Sequence, residues 1–192
     1  MYLVEGLWST WGAWSSCSGN QVTRSRTRSH SGGVLPCSGI NTESEPCCVN
    51  PTLTVTYQQY YTCCTPSYLG SNVLTDHVPE SDTKQFWLGN SHAYPQKIRI
   101  AFSCAKMISS VTMRNSNYFN FADTKGFEIK VKEPNSNVWQ SFTSGTLPNP
   151  HGQSTAPLTT FSGASVTVDE VEFACLSSWG ASYCALNYLE FN

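Results

Sequence analysis

Two stretches near the middle of the chain, "KIRIAFS" at residues 97–103 and "ISSVTMRN" at residues 108–115, carry the alternating apolar and polar pattern of half-buried strands. Similar runs recur on both sides: "LTVTYQQYY" (53–61), "KGFEIKVK" (125–132), "SVTVDEVEFAC" (165–175) and "CALNYLEF" (184–191). Between them lie clusters of Gly, Pro, Asn and Ser, such as "EPNSN" and "TLPNPHGQSTAP", residues that favour turns. No segment keeps a helical period for longer than a turn or two. Short strands separated by turn chemistry predict an antiparallel β-sandwich over residues 51–192. Its expected core contributors are Trp87, Phe102, Phe127, Ile129, Trp139, Phe173 and Leu189.

The first 50 residues have a different composition. "GLWSTWGAWSSC" (6–17) holds three of the six tryptophans, Trp8, Trp11 and Trp14, three apart among Ser, Gly, Thr and Ala. That spacing suits neither a helix nor a regular strand. "VTRSRTRSH" then sets Arg24, Arg26 and Arg28 at period two, which projects three guanidinium groups from one face of an extended strand. A guanidinium is planar and weakly hydrated, so it stacks on an indole, at roughly 0.5–2 kcal/mol per contact. Three Trp and three Arg are therefore expected to interleave as a ladder that stands in for a hydrophobic core. The W-x-x-W-x-x-W-S-x-C run at Trp8 to Cys17, R-x-R-x-R at Arg24 to Arg28, "LPCSG" and "SEPC" together resemble the thrombospondin type 1 repeat. That resemblance implies a small all-β domain over residues 1–50 with a Cys17–Cys47 disulfide. Two cysteine positions usual in the family are absent here, which leaves Cys37 and Cys48 without their customary partners.

Nine cysteines imply an oxidising compartment, hence a secreted, extracellular protein. No C-x-x-C occurs, which removes the ordinary zinc-ribbon and thioredoxin readings. The odd count leaves one thiol free or bridging two chains, so a disulfide-linked homo-oligomer is one expected outcome. Net charge is −2, and the first 50 residues balance three Arg against three Glu. A nucleic-acid binder would show a basic excess. The ladder arginines are either consumed in stacking or free along one edge for a sulfated glycan. No apolar run approaches the roughly 18 residues needed to span a bilayer, so no membrane insertion is expected. "MYLVEG" is too short for a signal peptide, so a secreted protein would be present in mature form.

"DTKQFWLGNSHAYPQKIRIAF", "MRNSNYFNFADTKGFEIKV" and "ALNYLEF", in that order and spacing, resemble parts of the discoidin-like and galactose-binding-like jelly-roll sandwiches over Val73 to Asn192. The resemblance implies that ligands bind loops at one end of the sandwich. A sugar site needs an aromatic face for the apolar side of the ring, and amide or guanidinium groups for its hydroxyls. "RNSNYFN" offers Arg114, Asn115, Asn117 and Tyr118. "LSSWGASYC" offers Trp179 and Tyr183 in a loop that a Cys175–Cys184 disulfide would close. The alternative for Trp179 is a cap on the core, and for the asparagines ordinary turn chemistry. His77, beside Asp76, is a further candidate for a hydroxyl contact. The same resemblance implies a structural calcium, for which Asp82 and Glu190 occupy the matching places with the oxygen ligands a hard cation takes.

H-E-x-x-H, G-x-S-x-G and the phosphate-binding G-x-x-x-x-G-K-[ST] are all missing. The expected function is a secreted, non-enzymatic carbohydrate-binding protein, a lectin, whose repeat serves assembly or presentation. The alternative is a matrix or cell-adhesion protein that binds proteins or sulfated glycans.

Overall fold

A computed structural model describes residues 7–13, 15, 23–32, 39–46, 51–59, 69–76, 86–89, 93–116, 123–151, 153, 155–180 and 183–192. The chain divides into two compact units, Met1–Asn50 and Pro51–Asn192. Among the described residues every regular element is a strand, apart from one 3-10 turn.

In the first unit, strand β1 (Leu7–Trp8) pairs antiparallel with β3 (His30–Ser31), and β2 (Thr23–Thr27) with β4 (Thr42–Pro46). The tryptophan segment runs beside β2 without forming a regular ladder. Ser9, Gly12 and Ser15 donate their N–H groups to the carbonyls of Ser29, Thr27 and Ser25, at 2.7, 2.9 and 2.9 Å. Thus three residues of the tryptophan segment advance for every two of the arginine strand, and an indole spacing of three meets a guanidinium spacing of two. The Arg28 guanidinium lies 4.5 Å from the Trp8 ring and 4.6 Å from that of Trp11. Arg26 lies 5.2 Å from the Trp11 ring and binds the Glu43 carboxylate through Nε (2.8 Å) and Nη2 (2.7 Å). The backbone of Arg24 stands opposite Glu45 in β2. Trp14, Cys17, Cys47 and the side chain of Arg24 lie outside the described residues.

The second unit contains β5 (Leu53–Gln58), the 3-10 turn Gly70–Leu74, β6 (Trp87–Leu88), β7 (Gln96–Asn115), β8 (Gly126–Lys132), β9 (Trp139–Thr146), β10 (Leu158–Cys175) and β11 (Ala185–Phe191). The stretches read as two strands, 97–103 and 108–115, are one strand, β7. Its first half pairs with β5 and with Glu170–Cys175 of β10. Its second half pairs with β11 and with Leu158–Val168 of β10. Register shifts at Ser162/Val166 and Val168/Glu170 mark where β10 changes partner residues, and bulges of this kind let strands turn a corner between layers. The antiparallel sandwich is therefore one sheet folded onto itself. Contacts across the two layers show this directly: Phe102 meets Phe191 with ring centres 5.6 Å apart, and Trp87 meets Phe173 at 5.8 Å. Ile98, Ile100, Ile108, Val111 and Met113, from both halves of β7, share one core with Phe127, Ile129, Phe173 and Leu189.

β9 carries no clear alternation, and the sequence reading passes over it. Gly145 explains part of the irregularity, because a Cβ there would sit 2.8 Å from the Phe161 ring and 3.2 Å from the Phe127 ring. Trp139 corrects an expectation. It is not in the core but on the outer face of the sheet, where its ring lies 5.3 Å from the Arg99 guanidinium and 5.8 Å from Lys132 Nζ. Arg99 also lies 5.2 Å from the Tyr57 ring. Beneath this layer Glu172, only 3% exposed, accepts from Lys97 Nζ and Arg99 Nε at 2.7 Å each. Burial raises the pKa of this carboxyl, but hydrogen bonds and charge from Lys97 and Arg99 outweigh it and hold the value below the ordinary 4.5.

Two outcomes follow from these contacts. Arg28→Ala should destabilise the first unit by about 1–3 kcal/mol, and Arg28→Lys should recover part of it, as measured by calorimetric melting of the full chain. An unchanged profile would remove the ladder from the account. For Glu172 the folded pKa is depressed, so its contribution is complete above the unfolded value and is lost as pH falls through the folded one. Stability of the second unit should therefore fall more steeply below pH 4.5 in the native chain than in Glu172→Gln, read from denaturant midpoints across an acid series.

Candidate functional site

Because β7 and β10 turn back at the bend, both ends of each strand emerge at the same end of the sandwich. The described segments there are 93–96, 115–116, 123–126, 146–151, 175–180 and 183–185. The Cys175–Cys184 disulfide forms as expected, with Cα atoms 6.3 Å apart, and closes the loop that carries Trp179. Cys104, at the opposite bend, is also disulfide-bonded.

Asn115 and Trp179 are fixed by the same loop. Asn115 donates from Nδ2 to the carbonyls of Thr124 (2.8 Å) and Pro148 (3.1 Å), and its Oδ1 accepts from the Thr124 N–H (2.9 Å). Its amide is fully used and 1% exposed. Asn115 therefore staples the loops together and offers nothing to a ligand, which corrects its place among the sugar contacts. The Asn-rich turn is structural at this position. Trp179 donates from Nε1 to the Leu147 carbonyl at 3.0 Å, and its backbone N–H bonds to Asp123 at 2.9 Å. The ring stays 37% exposed, with Lys125 Nζ 4.8 Å from its centre. It is thus an anchored, outward-facing aromatic, not a buried cap. Tyr94 (Oη to Ser178 Oγ, 3.0 Å) and Leu176 add exposed apolar surface on the same loops. Tyr183 is half-buried.

Arg114 occupies a second position, at the C-terminal end of β7 on the outer face. It stands in register with Tyr188 of β11 and Leu158 of β10. Its side chain is 10% exposed, and Nη2 meets Asp76 Oδ2 at 3.3 Å. Nε and Nη1 are buried with no hydrogen-bond partner. A buried donor left unpaired costs on the order of 1–3 kcal/mol, more when charged, and asks for an explanation. Around it stand Asp76, about one-third exposed, the half-buried Tyr188 and the exposed Glu190. Burial pushes the Tyr188 phenol above its ordinary pKa. The charges of Glu190 and Asp76 and a hydrogen bond to Glu190 act in the same direction, while Arg114 opposes them. The phenol is therefore neutral at physiological pH. The Arg114 group and the Trp179 group share this end of the sandwich, and among the described residues their contacts are with different partners.

Asn117, Tyr118, His77 and Asp82 lie outside the described residues. Among the described residues no group of three His, Cys, Asp or Glu side chains gathers to hold a metal ion, and Glu190 is engaged with Tyr188. Because Asp82 lies outside the described residues, the calcium site stays an expectation of the resemblance. Asp76 and Tyr188 were missed as site residues. The alternation of "ALNYLEF" puts Tyr188 and Glu190 on the face opposite Leu189 and Phe191, a usable signal, but nothing in the sequence brings Asp76 to Arg114.

No protein-family model matches the chain. A stretch of 47 residues is 50% identical to the complement component C8 beta chain of Paralichthys olivaceus and 40% identical to that of Oncorhynchus mykiss. It covers 23% of this chain, and the chain spans only 8% of the length of those relatives. Among solved structures, the family 32 carbohydrate-binding module of C. perfringens NanJ in complex with galactose superposes with a TM-score of 0.55 at 15% identity. The match covers 73% of this chain and 92% of that one. CpGH89CBM32-5 from Clostridium perfringens, in complex with GalNAc-beta-1,3-galactose, gives the same score and identity over 73% and 94%. The C-terminal domain of a chitobiase from Bacteroides fragilis gives 0.58 at 11% identity over 74% and 97%. The chain thus contains the discoidin-like sandwich fold of these modules.

The Asn115 staple yields a stability test. Asn115→Ala removes the donors to the buried Thr124 carbonyl and the Pro148 carbonyl and leaves the Thr124 N–H only its 3.3 Å bond to the Ala185 carbonyl, so the second unit should lose about 1–3 kcal/mol in chemical denaturation. A loss within a few tenths of a kcal/mol would mean the loops hold without it.

Proposed function

We propose that the protein is a secreted, non-enzymatic carbohydrate-binding protein whose sandwich takes a glycan at its loop end. The observation that carries this is Arg114, a guanidinium whose buried Nε and Nη1 have no hydrogen-bond partner, at the end of the sandwich where loops converge. Sugar hydroxyl oxygens are the acceptors such donors match, and Arg fixes them with defined geometry. Trp179 adds an anchored ring for an apolar sugar face. Structural neighbours in complex with galactose and with GalNAc-beta-1,3-galactose support the reading. Asn117, Tyr118 and His77 remain proposed contacts from neighbouring segments.

The first unit is proposed to be a thrombospondin type 1 repeat that assembles or presents the sandwich. Its Trp8–Arg28–Trp11 stack is the supporting observation. The odd count of nine cysteines leaves one free or bridging two chains, and in the bridged case linking weak sites raises avidity by roughly 10²–10⁴ where geometry permits.

A second reading, a matrix or adhesion protein, is favoured by one observation. Tyr94, Leu176 and Trp179 expose apolar surface together on loops tied by hydrogen bonds, a composition also found at protein interfaces.

A glycan array followed by calorimetry tests the first reading. Single-site affinity should be millimolar to micromolar, about 4–8 kcal/mol. Arg114→Ala and Trp179→Ala should each weaken it about tenfold or more, or at least 1.4 kcal/mol, with the fold retained. Absence of any glycan binding by the assembled protein would hand the function to the adhesion reading.

A further inference from the structure

We propose that the Arg114 site is selective for uncharged sugars, and that Asp76 and Glu190 are the residues that exclude carboxylated ones. The inference rests on the carbohydrate reading above and specifies the ligand's charge.

A lone buried arginine would suggest an anionic ligand. Here the charge balance at the site says otherwise. Arg114, the one cation of the site among the described residues, is 10% exposed and already engages Asp76 at 3.3 Å through Nη2. The carboxylate of Asp76 is about one-third exposed, so it stands nearer to solvent than the guanidinium it meets. Glu190, exposed on β11 two residues from Tyr188, adds a second negative charge, which acts on the Tyr188 phenol together with that of Asp76. Among the described residues, one positive and two negative charges leave the group net negative, and the negative groups are the accessible ones. A ligand carboxylate or sulfate would approach two like charges before reaching the partly neutralised guanidinium. Like-charge juxtaposition is a common means of rejecting wrong partners.

A neutral sugar faces no such barrier. Its hydroxyl oxygens accept from the unpaired Arg114 donors, and its hydroxyl hydrogens donate to the remaining lone pairs of Asp76. Each hydroxyl both donates and accepts, so one group of the ligand can serve both partners of the ion pair without disturbing its charge. A carboxylate only accepts, and it leaves Asp76 opposed. Selectivity thus comes from the donor-and-acceptor pair as a unit, with Arg114 supplying attachment and Asp76 supplying the discrimination.

Calorimetry on the full chain tests this with sugar pairs that differ only at C6: galactose and galacturonate, glucose and glucuronate, mannose and mannuronate. The neutral member of the pair that binds should be favoured by about tenfold or more. Asp76→Asn keeps an acceptor for Nη2 and removes the charge, so it should narrow the gap to roughly threefold or less. Glu190→Gln, remote from Nη2, should narrow it in the same direction by a smaller factor, and thermal melting checks that both variants fold. A uronate bound as tightly as its neutral partner by the native chain would overturn the selectivity while leaving the carbohydrate reading intact. A gap unchanged in both variants would overturn the assignment to Asp76 and Glu190. Failure of every sugar to bind would remove the carbohydrate reading, and this inference with it.

Discussion

A twenty-residue strand cannot stay flat in a sandwich whose two layers must face each other, and β7 is twenty residues long. It pairs along its length with β10, so both strands must bend at the same place for the pairing to survive. The register shifts in β10 supply that bend. Once it is made, the apolar residues of both halves point into one space, and Phe102 reaches Phe191 across the layers. The ends of both strands are brought to one end of the molecule, and the loops that continue them have no choice but to converge there.

Buried polar groups at that end divide into two kinds. Asn115 makes three hydrogen bonds with backbone groups of two loops, and its amide has nothing left to give. Arg114, its neighbour in sequence, points from the outer face and leaves two donors without partners. The first arrangement lowers the free energy of the folded chain by removing unsatisfied carbonyls. The second raises it, and a fold retains such a cost where a ligand can relieve it.

Guanidinium stacking recurs in both units for one physical reason. Arg28 lies between Trp8 and Trp11 in a unit with few aliphatics, and Arg99 lies near both Tyr57 and Trp139 on the outer face of the second unit's sheet. In each case a planar cation covers aromatic surface near solvent. Its charge stays at the surface, so little desolvation opposes the contact. On the sandwich, the buried Glu172 fixes Arg99 in place from below.

Alternation and turn residues were sufficient to place the all-β class, most strands and nearly all the expected core, because side-chain direction along a strand depends on local backbone geometry alone. The Cys175–Cys184 loop and the Trp/Arg interleaving were legible for the same reason: both depend on spacing within short segments. Trp139 was misplaced, because alternation says which residues share a face and not which face is covered. The continuity of β7 is not legible because the register shifts at the bend interrupt the alternation between its two halves. Arg114 and Trp179 were identified by residue type, but their partners were not. Asp76 reaches Arg114, and Leu147 reaches Trp179, only through strands and loops distant in the chain. Whether a polar side chain is spent on the fold or left open to a ligand depends on those distant neighbours, and tertiary structure alone decides it.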